Sequence, residues 1–69
     1  MTREEATNIA NLVYRIEETE ELIDKFNMIY NETDNQELIK CLDEGKNIIL
    51  LHKEKCEREL SNYNVSYND

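Results

Sequence analysis

The chain has no proline, no tryptophan and a single glycine among its 69 residues. All-β domains need turn residues at short intervals, so this scarcity argues against them and favours long helices. Long apolar runs are also missing. The longest, Ile48 to Leu51, is far shorter than the roughly 20 residues of a membrane span. The first residues lack the apolar core of a secretory signal. We therefore expect an unprocessed cytoplasmic protein with no membrane segment.

Basic residues are few. Eight Lys and Arg stand against 16 Asp and Glu, which gives a net charge of −8. Such a chain has no basic footprint to hold phosphates, which argues against direct binding of nucleic acid or of an anionic membrane. Basic protein surfaces are the partners that this charge favours.

Cysteine is limited to Cys41 and Cys56. If both lie in one helix, they are about 22 Å apart along its axis. A disulfide needs Cα atoms within about 7 Å of each other, so the two cannot pair within the chain. Two free thiols fit a reducing compartment.

The first half of the chain has the pattern of an amphipathic helix over about residues 3–30. Thr2 and Glu5 have the spacing of a capping box, which predicts where this helix begins. Thr19 and Glu20 interrupt the apolar stripe that follows. Its members are Ala6, Ile9, Val13, Ile16, Ile23, Phe26 and Tyr30, widened by Leu12, Leu22 and Ile29.

A second helix is predicted over about residues 36–61, after a polar turn at 31–35. Either Asp34 with Glu37 or Thr33 with Gln36 has the spacing to cap it. A heptad seam runs along this helix, with Cys41, Ile48 and Leu51 beside it. The seam is Leu38, Leu42, Gly45, Ile49, His52, Cys56, then Glu59 or Leu60, then Tyr63.

The predicted fold is therefore all-α: one antiparallel two-helix hairpin over residues 1–62, coiled-coil-like, with a flexible tail at 63–69. A core of this size supplies little stability alone. Because each apolar stripe is wider than a two-helix contact covers, we expect a homodimer that forms a four-helix bundle. A groove for a partner's helix is the competing use. The expected interface consists of Leu12, Leu22, Ile29, Ile39, Ile48 and Leu51, with Leu50 also partly exposed.

Acidic residues concentrate in the first half. Residues 1–37 carry ten acids and three bases, a charge of −7, which leaves −1 for the rest of the chain. The cluster has three readings: a solvated helix face, a docking face for a basic partner, and an imitation of nucleic-acid phosphates. The candidate partner-binding residues are Glu17, Glu18, Glu20, Glu21 and Asp24.

His52 and Cys56 are four residues apart and predicted to share one helix face. In a dimer two such pairs have the ligand types of a zinc site, but a histidine and a small thiol also simply fill a bundle position. Gly45 in mid-helix favours a close approach of the two helices. No phosphate-binding loop or catalytic motif is present, so we expect no enzyme activity, no metal and no cofactor.

The hairpin's length and its Thr33-Asp34 turn resemble, over about residues 16–50, the helical-hairpin aspartyl-phosphate phosphatases of sporulation control. Their Ser-Gln-x-Leu-Asp motif would fall on residues 41–45, where Gly45 stands in place of the acidic residue. No catalytic residue is carried over. The function expected from the sequence is a small acidic interaction module, an adaptor or inhibitor. The alternatives are a structural homo-oligomer, a nucleic-acid mimic and a phosphatase-shaped regulator without the motif.

Overall fold

The computed structural model describes residues 1–65 and shows two helices, α1 (Arg3–Glu32) and α2 (Gln36–Ser61). They pack side by side in a rod of 50 × 18 × 15 Å. The predicted all-α hairpin is thereby confirmed. Within residues 1–65, neither helix is long and apolar enough to cross a membrane.

Thr2 and Glu5 form the predicted capping box at the start of α1. The Glu5 amide donates to Thr2 Oγ1 over 3.1 Å, and the Thr2 amide donates to Glu5 Oε1 over 3.3 Å. Two of the amides that a helix start leaves without partners are satisfied in this way.

The turn is shorter than expected, and a different residue caps α2. The first helix continues through Glu32, which leaves residues 33–35 as the connection. Asn35, rather than Asp34 or Thr33, is the N-cap, and its side-chain oxygen accepts from the amides of Glu37 and Leu38. The Thr33 hydroxyl is engaged inside the turn, where it accepts from the Asn35 amide.

The main core lies in the half of the hairpin away from the turn, which we call the open end. Leu12 and Ile16 of α1 pack there against Cys56 and Leu60 of α2. Leu42 is the buried apolar residue nearer the turn. Leu12 was expected at an exposed interface, but it is only 6% exposed and belongs to this core.

Thr19, expected to interrupt the stripe of α1, is buried within it. Its hydroxyl donates to the Arg15 carbonyl over 2.7 Å, which satisfies the one polar group that burial would otherwise leave without a partner. The Leu12–Ile16–Thr19–Ile23–Phe26 spacing of four, three, four and three residues is the heptad seam of α1.

Most predicted seam positions of α2 face α1: Leu42, Cys56 and Leu60 are buried, and Gly45, Ile49 and Tyr63 are half-buried. Two predicted positions lie outside the seam. Leu38 and His52 are exposed, while Ile39, Lys46 and Lys53 are half-buried against α1. Lysine fits such positions because its aliphatic stem covers apolar surface while its ammonium group reaches a polar partner. Lys46 donates to Asn27 over 2.9 Å, and Lys53 lies 3.2 Å from Glu20.

Part of the predicted tail packs onto the open end. Tyr63 and Val65 lie against the core, and the Asn8 side chain donates to the Tyr63 hydroxyl over 3.2 Å. Asn64 has a φ of 59°, a left-handed conformation that asparagine tolerates and that turns the chain after α2. Residues 63–65 are thus placed against the open end, and the flexibility of 63–69 stays a prediction. Residues 66–69, with Tyr67, lie outside the described part of the chain.

We predict that the stability of the hairpin depends on the open-end core. We expect Leu60→Ala, at a fully buried position, to lower the free energy of unfolding by about 2–4 kcal/mol because it leaves a cavity. Leu51→Ala is the matched control, since Leu51 is 65% exposed and should change stability by less than about 0.5 kcal/mol. Urea unfolding followed by far-ultraviolet circular dichroism measures both. Equal losses would contradict this core.

Gly45 lies where Phe26 of α1 crosses α2, as the expected close approach requires. A Cβ atom placed on Gly45 would lie 3.0 Å from Phe26 Cε2, shorter than an ordinary contact. Phe26 is half-exposed and borders a shallow cavity of about 210 Å³, so its ring has room to move.

A double-mutant cycle tests this contact. In a helix, Gly→Ala gains about 1 kcal/mol. We expect Gly45→Ala to gain less than that in the native chain but the full amount when Phe26→Leu has shortened the ring. Thermal or urea unfolding gives both values. Equal gains in the two backgrounds would show that the ring imposes no constraint on residue 45.

Candidate interaction surfaces

The side of α1 that faces away from α2 carries most of the predicted acidic cluster. Glu17, Glu18, Glu21 and Asp24 are all exposed there, within about two turns. Lys25 is paired with Glu21 at 3.3 Å, and both side chains remain largely in solvent. A pair this exposed contributes little to stability, so this outer face of α1 keeps a strongly negative character.

Glu20 does not belong to the outer face, contrary to the sequence prediction. It is half-buried and turned toward α2, with Oε1 at 3.2 Å from Lys53 Nζ. The two side chains are only 34% and 17% exposed, so solvent screens this pair less than the Lys25–Glu21 pair. Glu20 therefore links the two helices.

Exposed apolar side chains bracket the outer face. Tyr14 and Met28, seven residues before and after Glu21, are each 62% exposed. The Tyr14 hydroxyl donates to Glu18 Oε1 over 2.7 Å. This hydrogen bond, together with the negative charge of Glu18, raises the pKa of Tyr14. The face thus combines carboxylates with an aromatic ring and a thioether, side chains common at protein interfaces.

The two long edges of the hairpin, where α1 meets α2, differ in chemistry. Along one edge, which we call the polar edge, the Lys53–Glu20 ion pair and the Lys46–Asn27 hydrogen bond join the helices. The other edge has a cleft of about 310 Å³ at its open end. The cleft is lined by Asn8, Asn11, Leu12, Arg15, Glu59, Asn62 and Tyr63.

Toward the turn, this second edge becomes apolar. Residues seven apart lie on the same side of a helix in a coiled coil. Leu22 and Ile29 therefore lie in one row with Asn8 and Arg15 along α1. Along α2, Leu38 lies in one row with Gly45, His52 and Glu59. Ile48 borders the same region, since it is three residues from Gly45. We call Leu22, Ile29, Leu38 and Ile48 the apolar edge.

The predicted oligomer residues divide among several places. Leu22, Ile29 and Ile48 lie on the apolar edge, while Leu51 is exposed on the outer side of α2. Ile39 is half-buried and Leu12 is buried, both in the seam between the helices. Only part of the predicted set can therefore face one partner surface.

His52 and Cys56 lie close together, but only one of them is in the core. Cys56 is buried and His52 exposed, with Cys56 Sγ 3.7 Å from His52 Nε2. Lys53, half-buried and 3.2 Å from Glu20, faces α1 instead of His52. Among residues 1–65, no three histidine, cysteine or acidic side chains are placed to hold a metal ion.

The open-end cleft has no counterpart among the sequence predictions. In the sequence, Asn8, Asn11 and Arg15 have the spacing of residues on one side of α1, which is typical of ordinary helix surface. Only the packing of α2 places Glu59 and Asn62 opposite them to form the cleft. Donors and acceptors line it, and the Tyr63 ring closes one end. It contains no nucleophile beside a base, the arrangement that covalent catalysis requires.

Comparison of this chain with known protein families, with curated proteins and with solved structures finds no match. The resemblance to the sporulation phosphatases gains no support from these comparisons.

The Tyr14–Glu18 bond makes the geometry of the outer face testable. Because a phenolate beside Glu18 loses the hydrogen bond and meets a negative charge, Tyr14 keeps its proton to higher pH than an ordinary tyrosine. We expect Glu18→Ala to lower the pKa of Tyr14, and Glu21→Ala to lower it less, since Glu21 acts only through its charge. Ring resonances followed by NMR across a pH titration measure the pKa. Equal shifts would mean that the hydrogen bond is not formed.

Proposed function

We propose that this chain is a small non-enzymatic protein–protein interaction module of the cytoplasm, an adaptor or inhibitor that docks a basic partner through the outer face of α1. The observation that carries the proposal is the composition of that face. Four exposed carboxylates lie between Tyr14 and Met28, and the side chains of Tyr14 and Met28 are themselves each 62% exposed. Tyrosine and methionine are enriched at protein interfaces, where they supply apolar contact area beside the charged groups.

The carboxylates supply attraction and orientation for such a partner. Complementary charge accelerates encounter and fixes register, while the apolar anchors supply most of the binding energy. Because Glu20 is engaged with Lys53, docking relies on Glu17, Glu18, Glu21 and Asp24. The only cysteine beside a histidine, Cys56, is buried, which favours binding over catalysis within the described residues.

The chain is further proposed to act as a homodimer of four helices. The supporting observation is the number of large apolar side chains that the hairpin leaves exposed beside a small core. Such surface usually marks an interface, and a two-fold arrangement lets one patch cover its own copy.

A pair of charge-matched variants tests the docking face. Glu17→Lys/Glu21→Lys reverses two charges on the outer face, and Glu44→Lys/Glu54→Lys reverses two exposed charges on α2. Both variants change net charge equally, so a nonspecific attraction responds equally to them. We expect a synthetic lysine-rich amphipathic helical peptide, titrated at physiological salt, to bind the first variant at least about 10-fold more weakly, and the second close to wild type.

Fluorescence anisotropy of the labelled peptide gives the affinities, and circular dichroism confirms that both variants stay helical. NMR shift perturbations should cluster around Tyr14, Glu21 and Met28. Equal weakening by the two variants, or shifts spread evenly over α2, would refute docking through this face.

A further inference from the structure

The apolar edge and the cleft beside it form one continuous side of the hairpin, and we propose that this side binds a second copy of the chain, with α1 of each copy over α2 of the other and both turns at the same end. The inference rests on the proposed homodimer and specifies its surface and arrangement. The two-fold axis then runs parallel to the helices.

The choice of side follows from the difference between the two edges. On the polar edge the charged groups already have partners across the hairpin, Glu20 with Lys53 and Lys46 with Asn27. Burying the polar edge would desolvate these groups, although this edge also exposes Leu50 and Tyr30, at 37% and 45%. The opposite edge exposes Leu22, Ile29, Leu38 and Ile48, whose burial is favourable.

The levels of residues along the two helices can be read from the contacts between them. Glu20 is level with Lys53, and Asn27 is level with Lys46. Because the helices are antiparallel, a step of two residues toward the N-terminus of α1 reaches the same level as a step of two residues toward the C-terminus of α2. Glu18 is therefore level with Lys55, Lys25 with Ile48, and Glu32 with Cys41.

Residues at these levels line the outer margins of the proposed interface. Glu18, Lys25 and Glu32, seven apart, flank the row of Leu22 and Ile29 on α1. A groove lined by Glu18, Glu21, Leu22 and Lys25 lies between this margin and the outer face. On α2 the corresponding margin, again seven apart, is Cys41, Ile48 and Lys55.

Charge complementarity selects between the two possible two-fold arrangements. With the axis parallel to the helices, the α1 margin of one copy faces the α2 margin of the second copy at the same level. Glu18 then meets Lys55 of the second copy, and Arg15 comes near the level of Glu59 of the second copy. An axis across the helices would instead place α1 on α1 and bring Glu18 against Glu32 of the second copy, which is a like-charge contact.

The size of the surface also favours the parallel axis. A side 50 Å long and 15–18 Å wide covers about 800 Å², the area that each partner contributes to a standard stable interface. An axis across the helices, centred on the apolar edge, would cover only the turn-proximal part. In the proposed arrangement the outer faces of both α1 helices remain exposed, so the dimer presents two acidic docking faces.

Sedimentation equilibrium of matched variants tests the surface. Ile48 and Leu51 are 68% and 65% exposed on the same helix, but only Ile48 borders the apolar edge. We expect the wild-type chain to be dimeric at tens of micromolar, Ile48→Glu to raise the dimer dissociation constant at least about 100-fold, and Leu51→Glu to leave it near wild type. Circular dichroism checks that both variants are folded.

Two further measurements test the arrangement. At low salt, Glu18→Lys is expected to weaken the dimer about 5-fold, and Glu18→Lys/Lys55→Glu to restore it. With diamide as the thiol oxidant, Glu32→Cys should form a disulfide with the native Cys41 of the second copy and run at dimer mass on a non-reducing gel. Met28→Cys, on the outer face, and the wild-type chain should not.

The outcomes separate this inference from the proposed functions. A monomeric wild-type chain would overturn both the homodimer and the surface, but not docking through the acidic face. A dimer that Ile48→Glu leaves intact would overturn the surface alone. Failure of the charge exchange to restore association, or of Glu32→Cys to cross-link, would overturn the arrangement of the helices.

Discussion

Every surface of this protein is set by one narrow seam between two helices. A hairpin has a single line of contact, so each helix buries only the side chains at heptad positions along that line. Among residues 1–65, the buried side chains are those of five apolar residues and Thr19. A second set, which includes Ile39, Ile49 and Lys53, is half-buried along the seam, and the exposed side chains lie on the edges and the outer faces. The rotation of each helix relative to the seam therefore determines which side chains lie on which surface.

The rotation of α2 places Lys53 in the seam where the heptad spacing predicts His52, and places Lys46 beside Gly45 at the crossing with Phe26. Lys46 and Lys53 cover the seam with their methylene chains and deliver their charges to one edge, where Asn27 and Glu20 receive them. The same rotation turns His52 and Leu38 outward on the opposite edge. The polar cross-helix pairs on one edge and the exposed apolar residues near the turn on the other edge thus both follow from how the helices pack.

The position of the acidic outer face does not depend on which edge of the hairpin is polar and which is apolar. Glu17, Glu21 and Asp24 project away from the seam, so neither helix contact nor a second copy on the apolar edge would cover them. Dimerisation and docking are therefore compatible, and a dimer would add avidity to any partner with two basic surfaces. Glu18 lies between the two surfaces and takes part in both proposals.

Several features followed from the sequence itself because they depend on local spacing. The all-α class, the capping box of Thr2 and Glu5 and the two helices in antiparallel order are of this kind. The tertiary structure decided the rest. It placed Leu12 and Thr19 among the buried residues, turned Glu20 toward α2, and packed Val65 against the open end. The physical reason is that a helical period fixes which residues share a side, but not which side the partner helix covers. Long amphipathic side chains such as lysine suit either environment, so only packing determines where they lie.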